Sequence, residues 1–242
     1  MISVLQRIKK LGAEAKLTKV NYSVLCLKVI DQIYDNIPTS KLDELTAEQC
    51  ASMNTIHYDY GTLAAYISIS NLQKNDLLKR FINTRKNSIR ICKNLEIEDY
   101  VVQPSEEVSP IKWHLGHTSW FFEEMILLKY IKKLTRYNKQ YKTIFNSYYK
   151  SAGDHWKQGL RGQLSRPTVN EVIKYRKYVD LKIKKVLEST TNNKLNFLIE
   201  LGINHEEQHQ ELMHMDIKYI FNTNPHKIKY IKVRFQKEKL MI

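Results

Sequence analysis

Apolar residues recur along most of this 242-residue chain at intervals of three and four, the spacing that lines one face of an α-helix. In the stretch 22–36, for example, Leu25, Val29 and Ile33 share one face, and Pro38 follows where a helix would have to end. The pattern predicts helices at 22–36, from Thr39 or Ser40 through Ala47, and at 58–72, 77–91, 110–128, 167–187 and 194–222. The predicted fold class is therefore all-α.

The order of these helices predicts two domains. The helices within residues 1–75 fit a small helical unit, and the apolar pattern changes after Asn75. Four longer helices within residues 76–230, with an irregular crossover at 136–166, fit a four-helix bundle. Bundles of this kind commonly hold a metal ion between facing helices. Residues 231–242 then form a short basic tail.

The composition, with 43% apolar and 26% charged residues, is that of a soluble globular protein. No apolar run approaches the ~20 residues needed to span a bilayer, and lysines interrupt the N-terminus where a signal peptide would be apolar. We therefore expect a cytoplasmic protein with no membrane partner. The three cysteines form no CxxC pair, so neither a disulfide framework nor a cysteine-based zinc site is indicated.

The net charge of +14 is unevenly distributed. Residues 1–75 carry 8 Lys and Arg against 7 Asp and Glu, a net of +1, which leaves +13 on the remainder. Much of this excess is lysine scattered among polar residues, a pattern typical of a solvated surface. Weak, salt-sensitive attraction to polyanions would be consistent with the charge, but no specific nucleic-acid partner is predicted.

The most informative short motif, His205-Glu206-Glu207-Gln208-His209, lies within the last predicted helix. Two histidines four positions apart project from the same helix face with Cβ atoms ~6 Å apart, close enough to bind one metal ion. The same residues spell H-E-x-x-H, the zinc protease motif, in which Glu206 would be the general base. That alternative requires a third ligand, usually well downstream, and no strand pattern precedes this helix as a substrate-binding edge would.

Four sequence blocks follow one another over some 150 residues: SPIKWHLGHTSWFFEEMIL, FNSYYKSAG, RGQLSRPTVNEVIKYRKYVD and ELGINHEEQHQELMHMDIKYIFNTNP. Together they resemble the N-terminal DinB-like domain of ergothioneine-biosynthesis sulfoxide synthases. The resemblance implies a DinB-like four-helix bundle in which His117, His205 and His209 bind Fe(II). It also implies that His114 is not a ligand but an orienting or structural histidine.

The same resemblance implies the substrates and residues that bind them. In these synthases the coordination positions left open by three neutral imidazoles accept O₂ and the sulfur of γ-glutamylcysteine or cysteine. Hercynine receives the sulfur at its C2 carbon, and the product is a sulfoxide. Gln208 matches a position that helps bind the imidazole of hercynine. Arg161 matches an arginine region that clamps substrate carboxylates, a task suited to a guanidinium fork.

The catalytic residue is not identified in this sequence. In the family, a second domain resembling formylglycine-generating enzymes follows the bundle, supplies the catalytic tyrosine and closes the substrate tunnel. Only 33 residues follow His209 here. We therefore expect the reaction to be incomplete with this chain alone, and a separate formylglycine-generating-enzyme-like chain is the expected partner.

Residues 1–75 carry a different resemblance. The runs IPTSKLDELTAE and YGTLAAYISISNLQKN resemble the helical part of the ATP-cone at the N-terminus of the ribonucleotide reductase large subunit. Thr39 and Asp43 match positions that contact the nucleotide in that family. The Lys-Arg-Asp-Gly hairpin that supplies most of the nucleotide cradle does not precede them. The resemblance therefore implies at most weak ATP binding and no reductase chemistry.

Two alternatives to an iron-dependent enzyme remain open. The chain could be a non-catalytic fusion, in which the ATP-cone-like and DinB-like parts both fold but neither is functional. The same three histidines could instead serve a zinc-dependent hydrolase or a thiol transferase of the DinB-like superfamily.

Overall fold

The computed structural model describes residues 2–35, 37–149, 153–189 and 193–230, and it confirms the all-α fold class. The side chains of residues 2–4, 39 and 189 and the predicted basic tail, 231–242, lie outside the described part. No described helix is both long and apolar enough to cross a membrane. The helices are α1 (Ile2–Glu14), α2 (Tyr22–Ile30), α3 (Thr39–Ser52), α4 (Tyr58–Ile91), α5 (Ile111–Phe121), α6 (Leu128–Tyr130), α7 (Tyr141–Ile144), α8 (Val169–Ser189) and α9 (Asn193–Thr223).

Helix α4 replaces two of the predicted helices. The predicted helices at 58–72 and 77–91 form one continuous helix, so the expected interruption was wrong. The connecting residues 73–76 include neither glycine nor proline, and nothing in them stops helical hydrogen bonding. The apolar pattern is interrupted near Asn75 because two positions of the buried face, Asn71 and Lys74, are polar. Helix α2, by contrast, ends at Ile30, before the predicted limit of residue 36.

The chain forms two compact units. The first unit comprises Met1–Phe81 and Ile183–Phe197, and the second comprises Ile82–Lys182 and Leu198–Ile242. In the first unit, Asn21 caps α2 by accepting a 3.1 Å hydrogen bond from the backbone N–H of Val24. Its core is apolar and is built from Ile8, Leu11, Val20, Leu25, Val29, Ala47, Cys50, Met53, Tyr60, Leu63, Ala64 and Ile67.

The second unit is built on four helices, α4 from residue 82 onward, α5, α8 up to residue 182 and α9 from residue 198, which meet through a polar interior. Arg85 of α4 donates to Asp180 of α8 at 2.5 Å and to Ser119 of α5 at 3.0 Å. Thr84 of α4 donates to Glu207 of α9 at 2.8 Å. These side-chain bonds connect all four helices, which is the arrangement of a four-helix bundle.

The described part of the crossover between α5 and α8 contains short helical pieces. A π-helical turn, Phe122–Leu127, continues α5 directly, and a 3₁₀ turn occurs at Gln158–Gln163. Two further 3₁₀ turns, Cys92–Asn94 and Ile97–Tyr100, lie between α4 and α5. Glu123 of the π-helical turn is buried and accepts hydrogen bonds from the Tyr175 hydroxyl at 2.6 Å and the Tyr137 N–H at 2.7 Å. These bonds tie the crossover to α8.

Candidate metal centre

The three predicted ligands, His117, His205 and His209, are called the triad below. Helix α5 presents the first of them, His117, from a wholly buried segment. His117 lies between Trp113, four residues before it, and Trp120, three residues after it, with ring centroids 4.6 and 5.5 Å away. Its Nδ1 lies 2.6 Å from the backbone carbonyl of Phe145. A carbonyl can only accept, so the proton is on Nδ1 and the lone pair is on Nε2. Gly116 permits this contact, because any Cβ there would collide with the Phe145 ring.

Helix α9 presents the other two histidines, one turn apart. The Nε2 atoms of His205 and His117 are 3.1 Å apart, and the ring of His205 stacks on Phe121 with centroids 4.4 Å apart. One ring nitrogen from each of His117, His205 and His209 lies within 4.8 Å of the others. The structure therefore brings together the three histidines that the sequence singled out.

His114 and Asp216 continue this cluster away from the triad. Nδ1 of His114 lies 2.9 Å from Nδ1 of His209, and Nε2 of His114 lies 2.8 Å from Oδ2 of Asp216. The same carboxylate oxygen accepts a 3.1 Å hydrogen bond from the backbone N–H of Ser109. His114 is 2% exposed, so these are interior contacts.

Burial keeps the triad uncharged. Burial lowers the pKa of His117 well below its usual value, with a further contribution from His205. Burial lowers the pKa of His205 to about 4. The pKa of His209 is also far below its usual value, first through burial and then through the neighbouring imidazoles. Neutral imidazole is the form that binds metals, so the triad is held in its ligand form at neutral pH.

The donor set fits a divalent transition metal. Nitrogen ligands bind at ~2.1 Å, so two of them can be at most roughly 4.2 Å apart, and the widest separation in the triad must close slightly by ring rotation. Nε2 of His117, which lies 3.1 Å from Nε2 of His205, carries a lone pair that a cation would satisfy. Neutral imidazoles suit iron, zinc, copper and nickel alike, so the donor set does not select among these metals.

Glu206 faces away from the triad into the bundle interior. Arg85 donates to it at 2.8 Å and Ser88 at 2.5 Å, and the Arg176 guanidinium also contacts it. Burial raises its pKa, but Arg176 and Arg85 lower it more, to about 2. A carboxylate that is 1% exposed and held between two guanidiniums cannot activate a metal-bound water, which argues against the protease reading of H-E-x-x-H.

An open cleft of about 330 Å³ leads to the triad. Gln208, the predicted hercynine contact, is exposed and lines the cleft. The cleft is therefore large enough for a small molecule to approach the histidine nitrogens. Its lining residues are His117, Ser147, Tyr148, Tyr149, His205, Gln208, His209 and Leu212.

Arg161, the predicted carboxylate clamp, does not line this cleft. It is 5% exposed, its guanidinium carbon lies 3.3 Å from the centre of the Trp113 ring, and it donates to Ser109 at 2.7 Å. Its Nε has no hydrogen-bond partner among the described residues. Burial lowers its pKa to about 10, which still leaves it charged at neutral pH. Arg161 is thus a buried cation with an unused donor.

The two predicted nucleotide residues belong to the first unit. Asp43 is buried, and its carboxylate pairs with Arg7 at 2.6 Å. Burial raises the pKa of Asp43, while Arg7 and Lys74 oppose this shift. The Thr39 backbone begins α3, but its side chain lies outside the described part. An ATP molecule that used Asp43 would have to compete with an existing ion pair.

Asp216 was missed by the sequence analysis. It follows His209 by seven residues, which is two helical turns on the same face of α9, so the spacing contained a usable signal. The carbonyl of Phe145 gave no such signal, because backbone acceptors are not visible in a sequence pattern. The partners Arg85 and Arg176 were also missed, since charged residues on amphipathic helices usually face solvent.

Comparison with known proteins finds partial relatives among ribonucleotide reductases. The chain is 39% identical over 71 residues to the ribonucleoside-diphosphate reductase large chain 2 of Saccharomyces cerevisiae, covering 29% of this chain and 8% of that protein. It is 42% identical over 69 residues to the ribonucleoside-diphosphate reductase large subunit of Arabidopsis thaliana, covering 28% of this chain and 8% of that protein. The chain thus spans less than a tenth of these relatives.

A comparison with family models covers a larger part of the chain. The model described as the DinB superfamily matches residues 80–213, which is more than half of the chain. The matched segment contains all three histidines of the triad.

Proposed function

The chain belongs to the DinB superfamily, and from this premise we propose that its second unit is the iron(II)-binding domain of an ergothioneine-biosynthesis sulfoxide synthase. The observation that carries the proposal is the neutral triad of His117, His205 and His209, whose nitrogens converge within 4.8 Å. The choice of iron, and of C–S bond formation as the reaction, rests on the resemblance of the four sequence blocks around the triad.

The proposed substrates are a cysteine-type thiol, hercynine and O₂. Bound Fe(II) would supply the redox chemistry with O₂ and a site of attraction for the thiol sulfur. In the overall reaction, hercynine loses its C2–H bond, the thiol loses its S–H bond, and a C–S bond forms. O₂ accepts four electrons and ends as the sulfoxide oxygen and one molecule of water.

Some residues of the chain would hold the metal, and others would orient its ligands and the substrates. The triad holds the metal, and the Phe145 carbonyl fixes the proton of His117 away from it. Gln208 lies on the cleft wall beside the triad, where its amide can both donate to and accept from an imidazole. Because all three ligands are neutral, the charge of the metal is uncompensated, which favours a thiolate over a neutral thiol.

Arg161 is proposed to recognise a substrate carboxylate. Its free Nε and its burial support this role, since a buried guanidinium without a carboxylate partner gains most from an anion. It lies outside the cleft lining, so a substrate that uses it must extend past Trp113.

The thiol part of the proposal can be tested with the Co(II)-loaded chain under anaerobic conditions. Cysteine or γ-glutamylcysteine should produce a thiolate-to-metal charge-transfer band, whereas serine, which lacks the sulfur, should not. The Arg161→Lys variant should need a higher thiol concentration because it loses the planar fork. A spectrum that does not respond to either thiol would contradict the proposal.

The role of Gln208 has its own measurement. Hercynine should shift the same spectrum, and the Gln208→Ala variant should bind hercynine more weakly while its affinity for the thiol is retained. An equal loss for both substrates would instead indicate damage to the metal site.

A separate formylglycine-generating-enzyme-like chain is the proposed partner for the complete reaction. With Fe(II), O₂ and both substrates, this chain alone should oxidise the thiol slowly and form no measurable sulfoxide, because positioning of the second substrate is worth several kcal/mol in such reactions. Addition of the partner should give the sulfoxide. Sulfoxide formed without the partner, above an iron-only control, would show that the second domain is not required.

A further inference from the structure

We infer that Asp216 and His114 form a relay of hydrogen bonds that fixes which nitrogen of His209 carries a proton, and that this relay keeps Nε2 of His209 available to the metal. Neither residue is a metal ligand in the proposal, and both are positioning residues. The inference rests on the proposed metal site, and its test separates the two.

The direction of each hydrogen bond follows from the chemistry of its acceptor. A carboxylate can only accept, so the 2.8 Å contact between Asp216 and His114 requires the proton on Nε2 of His114. Nδ1 of a neutral His114 is then an acceptor, and the 2.9 Å contact to His209 requires the proton on Nδ1 of His209. The lone pair of His209 is therefore on Nε2.

The starting point of the relay is itself fixed. Oδ2 of Asp216 also accepts the backbone N–H of Ser109 at 3.1 Å, and the hydroxyl of Ser109 accepts a hydrogen bond from Arg161 at 2.7 Å. The oxygen that contacts His114 is thus also held by a backbone donor. His114 is 2% exposed, so water is a poor substitute for either of its partners.

The three ligands of the triad differ in how they are oriented. His117 is oriented by the Phe145 carbonyl and His209 by the relay, whereas Nδ1 of His205 is buried and has no hydrogen-bond partner among the described residues. Metal-bound imidazoles normally donate their second N–H to a carboxylate or a carbonyl. The relay provides this for His209 through an intermediate imidazole.

Removal of the acceptor at position 216 would release the relay. Oδ2 of Asp216 accepts from both the Ser109 N–H and Nε2 of His114, so in the Asp216→Asn variant the amide oxygen can take its place and keep both hydrogen bonds. In Asp216→Leu no acceptor remains, so the His114 proton is no longer held on Nε2 and the His209 proton can populate both ring nitrogens. Asp216→Asn is therefore the matched control, because it removes the charge and retains the acceptor.

The first arm of the experiment uses the metal-free full chain labelled with ¹⁵N. Long-range ¹H–¹⁵N correlation spectra report which ring nitrogen of His209 is protonated. We expect Nδ1–H in the wild type and in Asp216→Asn, and a shift toward Nε2–H in Asp216→Leu. An unchanged His209 tautomer in Asp216→Leu would overturn the relay, whether or not the chain binds a metal.

The second arm measures the affinity for Fe(II) under anaerobic conditions. Asp216→Leu and His114→Leu should weaken binding by about 10–100-fold, the range known for orienting partners of metal ligands, whereas Asp216→Asn, which retains the acceptor, should lose less. His114→Asn places an amide oxygen where Nδ1 of His114 accepts, so it should recover most of the loss seen in His114→Leu. Glu211→Gln, an exposed carboxylate on the same helix, is the matched control and should bind as the wild type does.

The outcomes separate the relay from the proposed function. If the wild type binds no Fe(II), the proposed function fails, and the tautomer spectra still decide the relay. If the wild type binds Fe(II) but His114→Asn binds as weakly as His114→Leu, the acceptor at this position is not what matters and the relay is overturned. Thermal unfolding of each metal-free variant identifies a variant that has lost its fold. If Asp216→Leu is such a variant, the comparison of His114→Asn with His114→Leu decides the relay.

Discussion

The first unit completely buries apolar side chains such as Leu25, Val29 and Leu63, whereas the second unit buries Arg85, Arg176 and Glu206 to 3%, 2% and 1% exposure. The apolar core of the first unit gains its stability from area removed from water and has no directional requirement. The ionic interior of the second unit is stable only while each charge keeps its partners.

This difference bears on the metal centre because Glu206 is the neighbour of His205 in the sequence. Its bonds to α4 and α8 fix the rotation of α9 about its own axis, and with it the direction of the nearby His205 and His209 side chains, which reach the ring of His117. Charges that would be costly in an ordinary core therefore define the direction in which the ligands point. Apolar packing alone would define the direction of these side chains less sharply, because it has no directional requirement.

The largest effect is expected from removing the charge of Glu206. The Glu206→Gln variant removes the carboxylate that Arg176 contacts and one of the two that Arg85 contacts, so unfolding by denaturant should show a loss of about 3–5 kcal/mol. The metal affinity should fall as well, because α9 loses its fixed rotation. The control is Glu211→Gln, an exposed carboxylate on α9, which should change stability by less than about 0.5 kcal/mol. Equal stability of both variants would contradict the ionic account.

The corresponding change in the first unit is Leu63→Ala. Leu63 is fully buried, and the cavity left behind should cost about 2–5 kcal/mol. The metal affinity of the folded protein should stay within about threefold of the wild type, because Leu63 belongs to the first unit and the triad to the second. A fall in metal affinity as large as that of Glu206→Gln would show that the two interiors do not have separate roles.

A smaller effect is expected where α5 meets Phe145. In the Gly116→Ala variant the new methyl group collides with the Phe145 ring, and the overpacking should cost about 1–3 kcal/mol. The Phe145 carbonyl that orients His117 should move with the ring, so Fe(II) binding should weaken about tenfold. Gly159→Ala is a suitable control, because its nearest neighbour is the flexible side chain of Glu106. Unchanged Fe(II) binding in Gly116→Ala would argue against the orienting role of Phe145.

The charge of Glu206 should also make the stability of the fold depend on pH. The pKa of Glu206 is about 2 in the folded protein and is near 4.5 when the chain unfolds, so its contribution is fully present above pH 4.5. As the pH falls from 4.5 to 2, the unfolded state binds the proton first and the folded state loses up to about 1.4 kcal/mol per pH unit from this group. The stability difference between the wild type and Glu206→Gln should therefore shrink over this window. A constant difference would contradict the assigned charge.

The helices and the triad were accessible from sequence for different reasons. Helical spacing predicted the all-α fold, and the interval of four between His205 and His209 indicated a shared face. His117 came from the resemblance of its surrounding block, because nothing in its spacing connects it with residues 88 and 92 positions later. The single helix α4 was predicted as two because Asn71 and Lys74 interrupt the apolar pattern of its buried face while the backbone does not break.

The hydrogen bonds that orient the three histidines were harder to predict from the sequence than the helices or the histidines themselves. The relay joins His114 to Asp216 across 102 positions, and the ion pairs of Glu206 reach 121 positions back to Arg85. Such pairs depend on the packing of whole helices, which local periodicity does not contain. The acceptor of His117 is a backbone carbonyl, and every residue has one.

The central claim, that three histidines of the second unit hold one divalent metal, is tested most directly by anaerobic calorimetric titration of the metal-free chain with Fe(II). The wild type should bind one Fe(II) per chain. His205→Ala and His209→Ala should each lose more than the ~10–100-fold expected for an orienting partner, while His214→Ala, an exposed histidine on the same helix, should bind as the wild type does. Binding that survives unchanged in His205→Ala and His209→Ala, or a wild type that binds no Fe(II), would contradict the claim.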